Sequence, residues 1–115
     1  MLQKLLAWLV GTAAREDLSL SEALRRHSAG SVIPDMREQD EWKSGHLKGA
    51  IPIPLGRLGS QLGRLARDAE ISAVCKSGGR SSRAVSILRG AGFEHVVNMR
   101  GGMTGWERAG LPVAT

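Results

Sequence analysis

Only one cysteine, Cys75, occurs in the 115 residues. A single thiol excludes an intrachain disulfide, a paired-cysteine redox motif and a cysteine-rich zinc site. It suits a reducing compartment, and the expected location is cytoplasmic. Tyrosine is absent, and Trp8, Trp42, Trp106 and Phe93 are the only large aromatics. The core must therefore come from Leu, Ile, Val, Ala and Met. No run of five like charges exists, and little aromatic interleaving accompanies the formal charge of +5. A solvated basic surface is the expected reading, with no nucleic-acid partner. No apolar run reaches the ~20 residues needed to span a bilayer. The longest candidate, MLQKLLAWLV, is about half that.

What is present divides into two parts. Residues 1–16 form an apolar extension with Leu2, Leu5, Leu6, Leu9 and Ala13 at helical spacing. A helix packing on the domain, on a partner or on a membrane surface is expected there, in that order. Membrane association or export through residues 1–14 is the alternative location, since Thr12-Ala13-Ala14 has the small residues of a cleavage site. Residues 17–115 are long enough for one domain.

Strand and helix patterns alternate through that domain. DLSLSEALRRHSAG reads as a helix with Ser19 as N-cap, Glu22 at capping-box spacing, Leu20, Ala23 and Leu24 as its apolar stripe, and Gly30 as its stop. SVIPD is a strand in which Pro34 lacks a ladder donor. A helical turn over Glu38 to Lys43 and a second strand, AIPIP, follow. Leu55, Leu58, Leu62 and Leu65 suggest a helix weakened by its glycines. EISAVC is a strand ending at the cysteine, SSRAVSILRGAG a helix that buries Ala84, Val85, Ile87 and Leu88, and HVVNM a further strand. GGMTGWERAGLPV is a glycine turn, a short helix and a tail, with Trp106 as a core or rim anchor. This order predicts an α/β fold of three layers, a mostly parallel central sheet of about five short strands with helices on both faces. Ligands of such sheets bind at the carboxyl ends of the strands, where Cys75 lies.

The segment VCKSGGRSSRA surrounds the thiol with glycines and cations. Thiolate is the reactive form of cysteine, and helix N-termini and nearby cations lower its pKa from about 8.5. The helix beginning near Ser81 points unpaired N–H groups at the loop. Gly78 and Gly79 let successive amides converge into an anion nest. Lys76 adds charge, and Ser77 and Ser81 add hydroxyl donors. Lys76, Arg80, Arg83, Arg89 and Arg100 outnumber Glu94 between Cys75 and Arg100, so a small anion should be attracted. Cysteine phosphatases share the layout of strand, cysteine, glycine loop, arginine and helix, but with five residues between Cys and Arg. Here four separate Cys75 from Arg80. The tighter ring suits one added sulfur atom better than a tetrahedral oxyanion.

From Val32 to Val113 the chain resembles a single-domain rhodanese, the thiosulfate sulfurtransferase family. The likeness runs through Asp35, Arg37, Glu38, Glu41, Trp42, Gly45, His46, Gly49, Ala50, Ile53 and Pro54. It continues through the loop Cys75 to Arg80. It closes through Gly92, Phe93, Val96, Gly101, Gly102, Trp106, Gly110, Leu111 and Pro112. Three motifs in the right order are more specific than any one alone. Pro34 departs from the aliphatic residue usual in the family. The resemblance implies that Cys75 takes the outer sulfur of a donor such as thiosulfate, forms a persulfide, and passes the sulfur to a thiol, a protein acceptor or cyanide. It implies that Lys76, Ser77, Gly78, Gly79 and Arg80 bind the substrate, with Arg80 fixing the loop through Asp35 or Glu41. Asp35, Arg37, Glu41, His46 and Ser81 would support the loop, the first three as a buried ion-pair network. No metal or organic cofactor is implied. His27 and His95 have no partners at ligand spacing and read as surface residues. The rival readings are a phosphatase or arsenate reductase of the longer-loop type, and a non-enzymatic persulfide carrier or protein-binding module.

Overall fold

Five short strands are held in register by one another rather than by their length. The computed structural model describes residues 17–115. The helix expected over residues 1–16 lies outside the described residues. In chain order come β1 (Asp17–Leu18), α1 (Leu20–Ser28), β2 (Pro34–Asp35), α2 (Gln39–Lys43), β3 (Ile51–Pro52), two 3-10 turns (Leu55–Ser60 and Leu62–Arg64), β4 (Ile71–Ala73), α3 (Gly79–Gly90), β5 (Val96–Met99) and α4 (Gly102–Arg108). β5 lies between β1 and β4, parallel to both, and β2 is parallel to β3. Val32 and Asp35 bridge Ile71 of β4 and Val74 just after it, also in parallel, so the order across the fold is β1-β5-β4-β2-β3.

Pro34 marks the seam. Val32 and Met36 donate to the carbonyls of Glu70 and Val74, both at the β4 side, and Pro34 accepts there from Val74 N–H at 3.1 Å. Having no N–H, Pro34 omits the one rung between them. The strand survives because its other edge is intact: Ile51 and Ile53 donate to Ile33 and Asp35 at 2.8 and 2.9 Å.

Side chains alternate across the sheet and build two cores. Ile71, Ala73 and Cys75 of the β4 run face α3 and the 3-10 turns, packing with Met36, Ile53, Leu58, Ala84, Val85, Leu88, Phe93 and Val96. Val74, Val97 and Met99 face the other way, into Leu18, Ala23, Ile33, Leu47, Met103 and Trp106. The result is the expected three-layer α/β arrangement. With both faces covered, the central strands are buried along their length and mostly apolar, Ser72 of β4 and Asn98 of β5 being the buried polar exceptions. Trp106 is wholly buried and satisfies its indole by donating Nε1–H to the Pro112 carbonyl at 2.9 Å.

Five local expectations are corrected. Asp17–Leu18 is a strand, not the start of a helix, because it pairs with Asn98 and Met99. The leucine-rich segment forms 3-10 turns instead of one α-helix; glycines at 56, 59 and 63 leave little α propensity. Leu24 and Ile87 are exposed at 36% and 42%, on the outer faces of α1 and α3. His27 is half-buried rather than on the surface: its Nε2 donates to the Lys48 carbonyl and its ring meets Trp106 edge-on. At α1 the Ser19 cap holds, accepting from Glu22 N–H, but the box does not close. Arg25 and Arg26 occupy the Glu22 carboxylate instead. Among the described residues no helix is long and apolar enough to cross a membrane.

α4 seats the loop that follows β4. Its Met103 and Thr104 N–H groups donate to the carbonyls of Cys75 and Lys76 at 2.8 and 2.9 Å. Gly102 allows the approach: it has φ +53°, and a Cβ there would lie 2.3 Å from the Cys75 carbonyl oxygen and 2.6 Å from that of Lys76. Replacing it with alanine combines a left-handed backbone penalty with a backbone clash. Gly102→Ala should lose roughly 3 kcal/mol of stability in urea unfolding. Gly59→Ala, with open space around it and no unusual φ, should be near neutral in the same assay.

Candidate active site

The β4 strand delivers Cys75 to the carboxyl edge of the sheet, and α3 starts four residues beyond it, after Gly78. Gly78 is the N-cap of α3 with φ +113°, a left-handed conformation that turns the loop back on its own cysteine. Its N–H donates to Cys75 Sγ at 3.1 Å, and the Ser81 hydroxyl lies 3.3 Å from the same sulfur. Burial, with Cys75 only 1% exposed, pushes the thiol up. Hydrogen bonds from the Ser81 side chain and from the backbone N–H groups of Ser81, Gly78 and Ser77 outweigh it, and the thiol sits below its ordinary value.

The five loop residues divide by role. Gly78 is buried and bonds the sulfur. Gly79 begins the helix, exposed. Lys76 and Ser77 are exposed; Ser77 contributes its amide, while Lys76 reaches into an open cleft of about 180 Å³ that Arg37, Glu41, Ser44, Thr104 and Glu107 also line. Arg80 is committed to a carboxylate. Its two terminal nitrogens grip the Glu41 carboxylate at 2.6 and 2.9 Å, a bidentate pair linking α3 to α2. The pair draws Glu41 down to about 2 and pushes Arg80 up.

The expected single network of Asp35, Arg37 and Glu41 is instead two separate ion pairs. Asp35 receives Arg37 Nε and the Arg37 backbone N–H, and its other oxygen takes Arg37 Nη2 at 2.8 Å, all buried. The same Nη2 donates to the Gly45 carbonyl at 2.7 Å, tying β2 to the loop before β3. Glu41 pairs with Arg80 alone, about one quarter exposed. The two acids diverge because Asp35 lies within β2 and Glu41 one turn into α2. His46 stands apart from the thiol: its Nδ1 donates to the Trp42 carbonyl at 2.9 Å and its ring stacks on Trp42 with a 3.5 Å centroid separation. It braces this corner, where His46 also bridges Ala114.

Two residues at the site escaped sequence reasoning. Gly102, above, was legible only as a turn glycine. Asn98 of β5 contacts Ser81, Gly78 and Asp17 from the face that Cys75 occupies. A polar residue inside HVVNM, at the alternation position facing the thiol, was the available signal.

A family model for the rhodanese-like domain matches residues 19–109. A protein named sulfurtransferase from Allochromatium vinosum is 30% identical over 96 residues, covering 81% of this chain and 90% of its own. An HTH-type transcriptional regulator of Mycobacterium tuberculosis, Rv0324, is 40% identical over 99 residues, covering 84% of this chain; the chain spans only 43% of that regulator's length. The crystal structure of a rhodanese-related protein from Thermoplasma volcanium superposes with a TM-score of 0.78 at 28% identity, over 85% of this chain and 96% of its own. The matched residues run from the cap of α1 through the end of α4 and take in the whole cysteine loop, so the chain belongs to the rhodanese-like family.

Proposed function

We propose that this protein is a sulfurtransferase working through a persulfide on Cys75. The observation that carries the reading is the ring of N–H and O–H donors around the Cys75 sulfur, from Gly78, Ser77 and Ser81. These donors suit a sulfur anion and deliver no protons to chemistry elsewhere. Cys75 thiolate attacks the outer sulfur of thiosulfate. A new S–S bond forms, the donor's S–S bond breaks, and sulfite leaves with that electron pair. An acceptor thiolate then attacks the outer sulfur, takes it, and releases Cys75 as thiolate. Negative charge is conserved in both steps.

Side-chain charge has a smaller part. Arg37 and Arg80 are neutralised by Asp35 and Glu41, so Lys76 is the cation left at the cleft for an anionic donor. The Arg80–Glu41 pair also speaks against the phosphatase and arsenate-reductase readings, because an arginine held there has no fork to offer an oxyanion. Donor and acceptor are read as a small anionic sulfur compound and a thiol, either small or on a protein. A reducing, cytoplasmic setting keeps the lone thiol available.

Incubation with thiosulfate should add one sulfur atom to the intact mass, removable by a thiol. Cys75→Ser should add none while keeping the fold; undiminished loading of that variant would overturn the reading. A loaded protein that turns over slowly with small thiols but fast with a protein acceptor would identify a carrier. Lys76→Ala should raise KM for thiosulfate about threefold with kcat little changed, as expected for an exposed charge that aids binding. Steady-state kinetics check this, and a loss confined to kcat would contradict it.

The ion pair makes a pH prediction. Glu41 titrates lower in the folded protein, about 2 against an ordinary value near 4.5. Its stabilisation is therefore complete above about pH 4.5 and is lost as pH falls toward 2. Denaturant midpoints of the wild type and Glu41→Gln should differ at neutral pH and converge near pH 2.

A further inference from the structure

Asn98 takes no part in the chemistry described so far, yet its carboxamide is fully engaged beside it. It is 3% exposed. Its Nδ2 donates to Asp17 Oδ1 at 2.9 Å and to the Gly78 carbonyl at 3.2 Å. Both partners can only accept, so the amide orientation is fixed and Oδ1 must face Ser81. Ser81 is wholly buried and donates to Asn98 Oδ1. Its oxygen is also 3.3 Å from Cys75 Sγ and 3.3 Å from the Gly78 carbonyl. That carbonyl is already served by Ser82 N–H at 3.0 Å and by Asn98. One hydroxyl proton therefore has two real claimants, the sulfur and the Asn98 oxygen.

We propose that Asn98 is a positioning residue that contests the Ser81 proton with Cys75, so that Ser81 accepts from the neutral thiol and donates to the thiolate. With the thiol protonated, S–H donates to Ser81 Oγ, and Ser81 O–H donates to Asn98 Oδ1. Every group is satisfied. When the proton leaves to solvent, Ser81 turns to the sulfur and Asn98 Oδ1 loses its donor in a buried site, which costs free energy. Ionisation is thereby opposed. Once an outer sulfur is attached, the negative charge moves to that atom, Sγ no longer competes, and Ser81 returns to Asn98. Asn98 thus favours the persulfide over the bare thiolate. That last consequence rests on the sulfur-transfer reading; the thiol titration does not.

Other charges bear on the thiol as well: Lys76 in the loop, Arg80 of α3 with Glu41 of α2, Asp17 of β1 behind Asn98, and Arg37 with Asp35 and Glu107 around the cleft. A double-mutant cycle removes their contribution. In the full chain, the Cys75 pKa is read from the pH dependence of alkylation by iodoacetamide. Asn98→Leu, similar in size but unable to accept, should lower it by about half a pH unit, the order of the one neutral hydrogen bond that Asn98 Oδ1 loses on ionisation. Ser81→Ala should raise it. In the Ser81→Ala background, Asn98→Leu should leave it where it is. An equal shift in both backgrounds, or an upward shift in the first, would overturn the proposal. A mutation-free measurement stands beside it should Asn98→Leu not fold. The assigned Asn98 side-chain amide resonances of the wild type should titrate with the Cys75 midpoint and lose most of that response in Ser81→Ala. An amide that stays fixed while Cys75 ionises would overturn the proposal on its own.

Discussion

A loop that aims its N–H groups at one sulfur must aim its carbonyls the other way, and those carbonyls need donors from elsewhere. The cysteine loop depends on that exchange. Gly78 and its neighbours point inward at Cys75. The outward carbonyls of Cys75 and Lys76 are taken by α4, and that of Gly78 by Ser82 and Asn98. The cradle is thus a property of elements that lie far along the chain from the thiol. The two glycines at its margins, Gly78 and Gly102, both with positive φ, are where the backbone must bend or be approached too closely for a side chain.

Local pattern carried much of this fold. The EISAVC run was legible as a strand ending at Cys75, the glycine-and-arginine loop announced α3, and the capping serine of α1 was in place. What stayed hidden was long-range. Asp17 and Leu18 carry no strand signal of their own, and only pairing with Asn98 and Met99 makes them β1. The leucines from Leu55 to Leu65 fit helical spacing, but the glycines among them and the burial of Leu58 and Leu65 favour tighter turns. Asp35, Arg37, Glu41 and Arg80 were identified as charged partners. Their pairing depends on where β2 ends and α2 begins, which spacing alone does not fix.

The electrostatics of the site are quieter than the formal charge of +5 suggests. Two arginines at the edge of the cleft are each bound to a carboxylate, and one of those pairs is buried. Such pairs hold geometry more than they attract ligands. The donors that face the sulfur are the Ser81 hydroxyl and backbone amides rather than charged side chains, and such neutral donors carry little salt sensitivity.

The position of α4 has a consequence for the newborn chain. As a ribosome extrudes the protein, Cys75 emerges well before Met103 and Thr104, which cap the loop carbonyls. Until they arrive, the carbonyls of Cys75 and Lys76 lack their α4 donors, and the loop is held by its own turn into α3 alone. The finished setting of the loop thus draws on chain that is made after it. The single thiol therefore reaches its completed surroundings only once the residues beyond it have been made and packed.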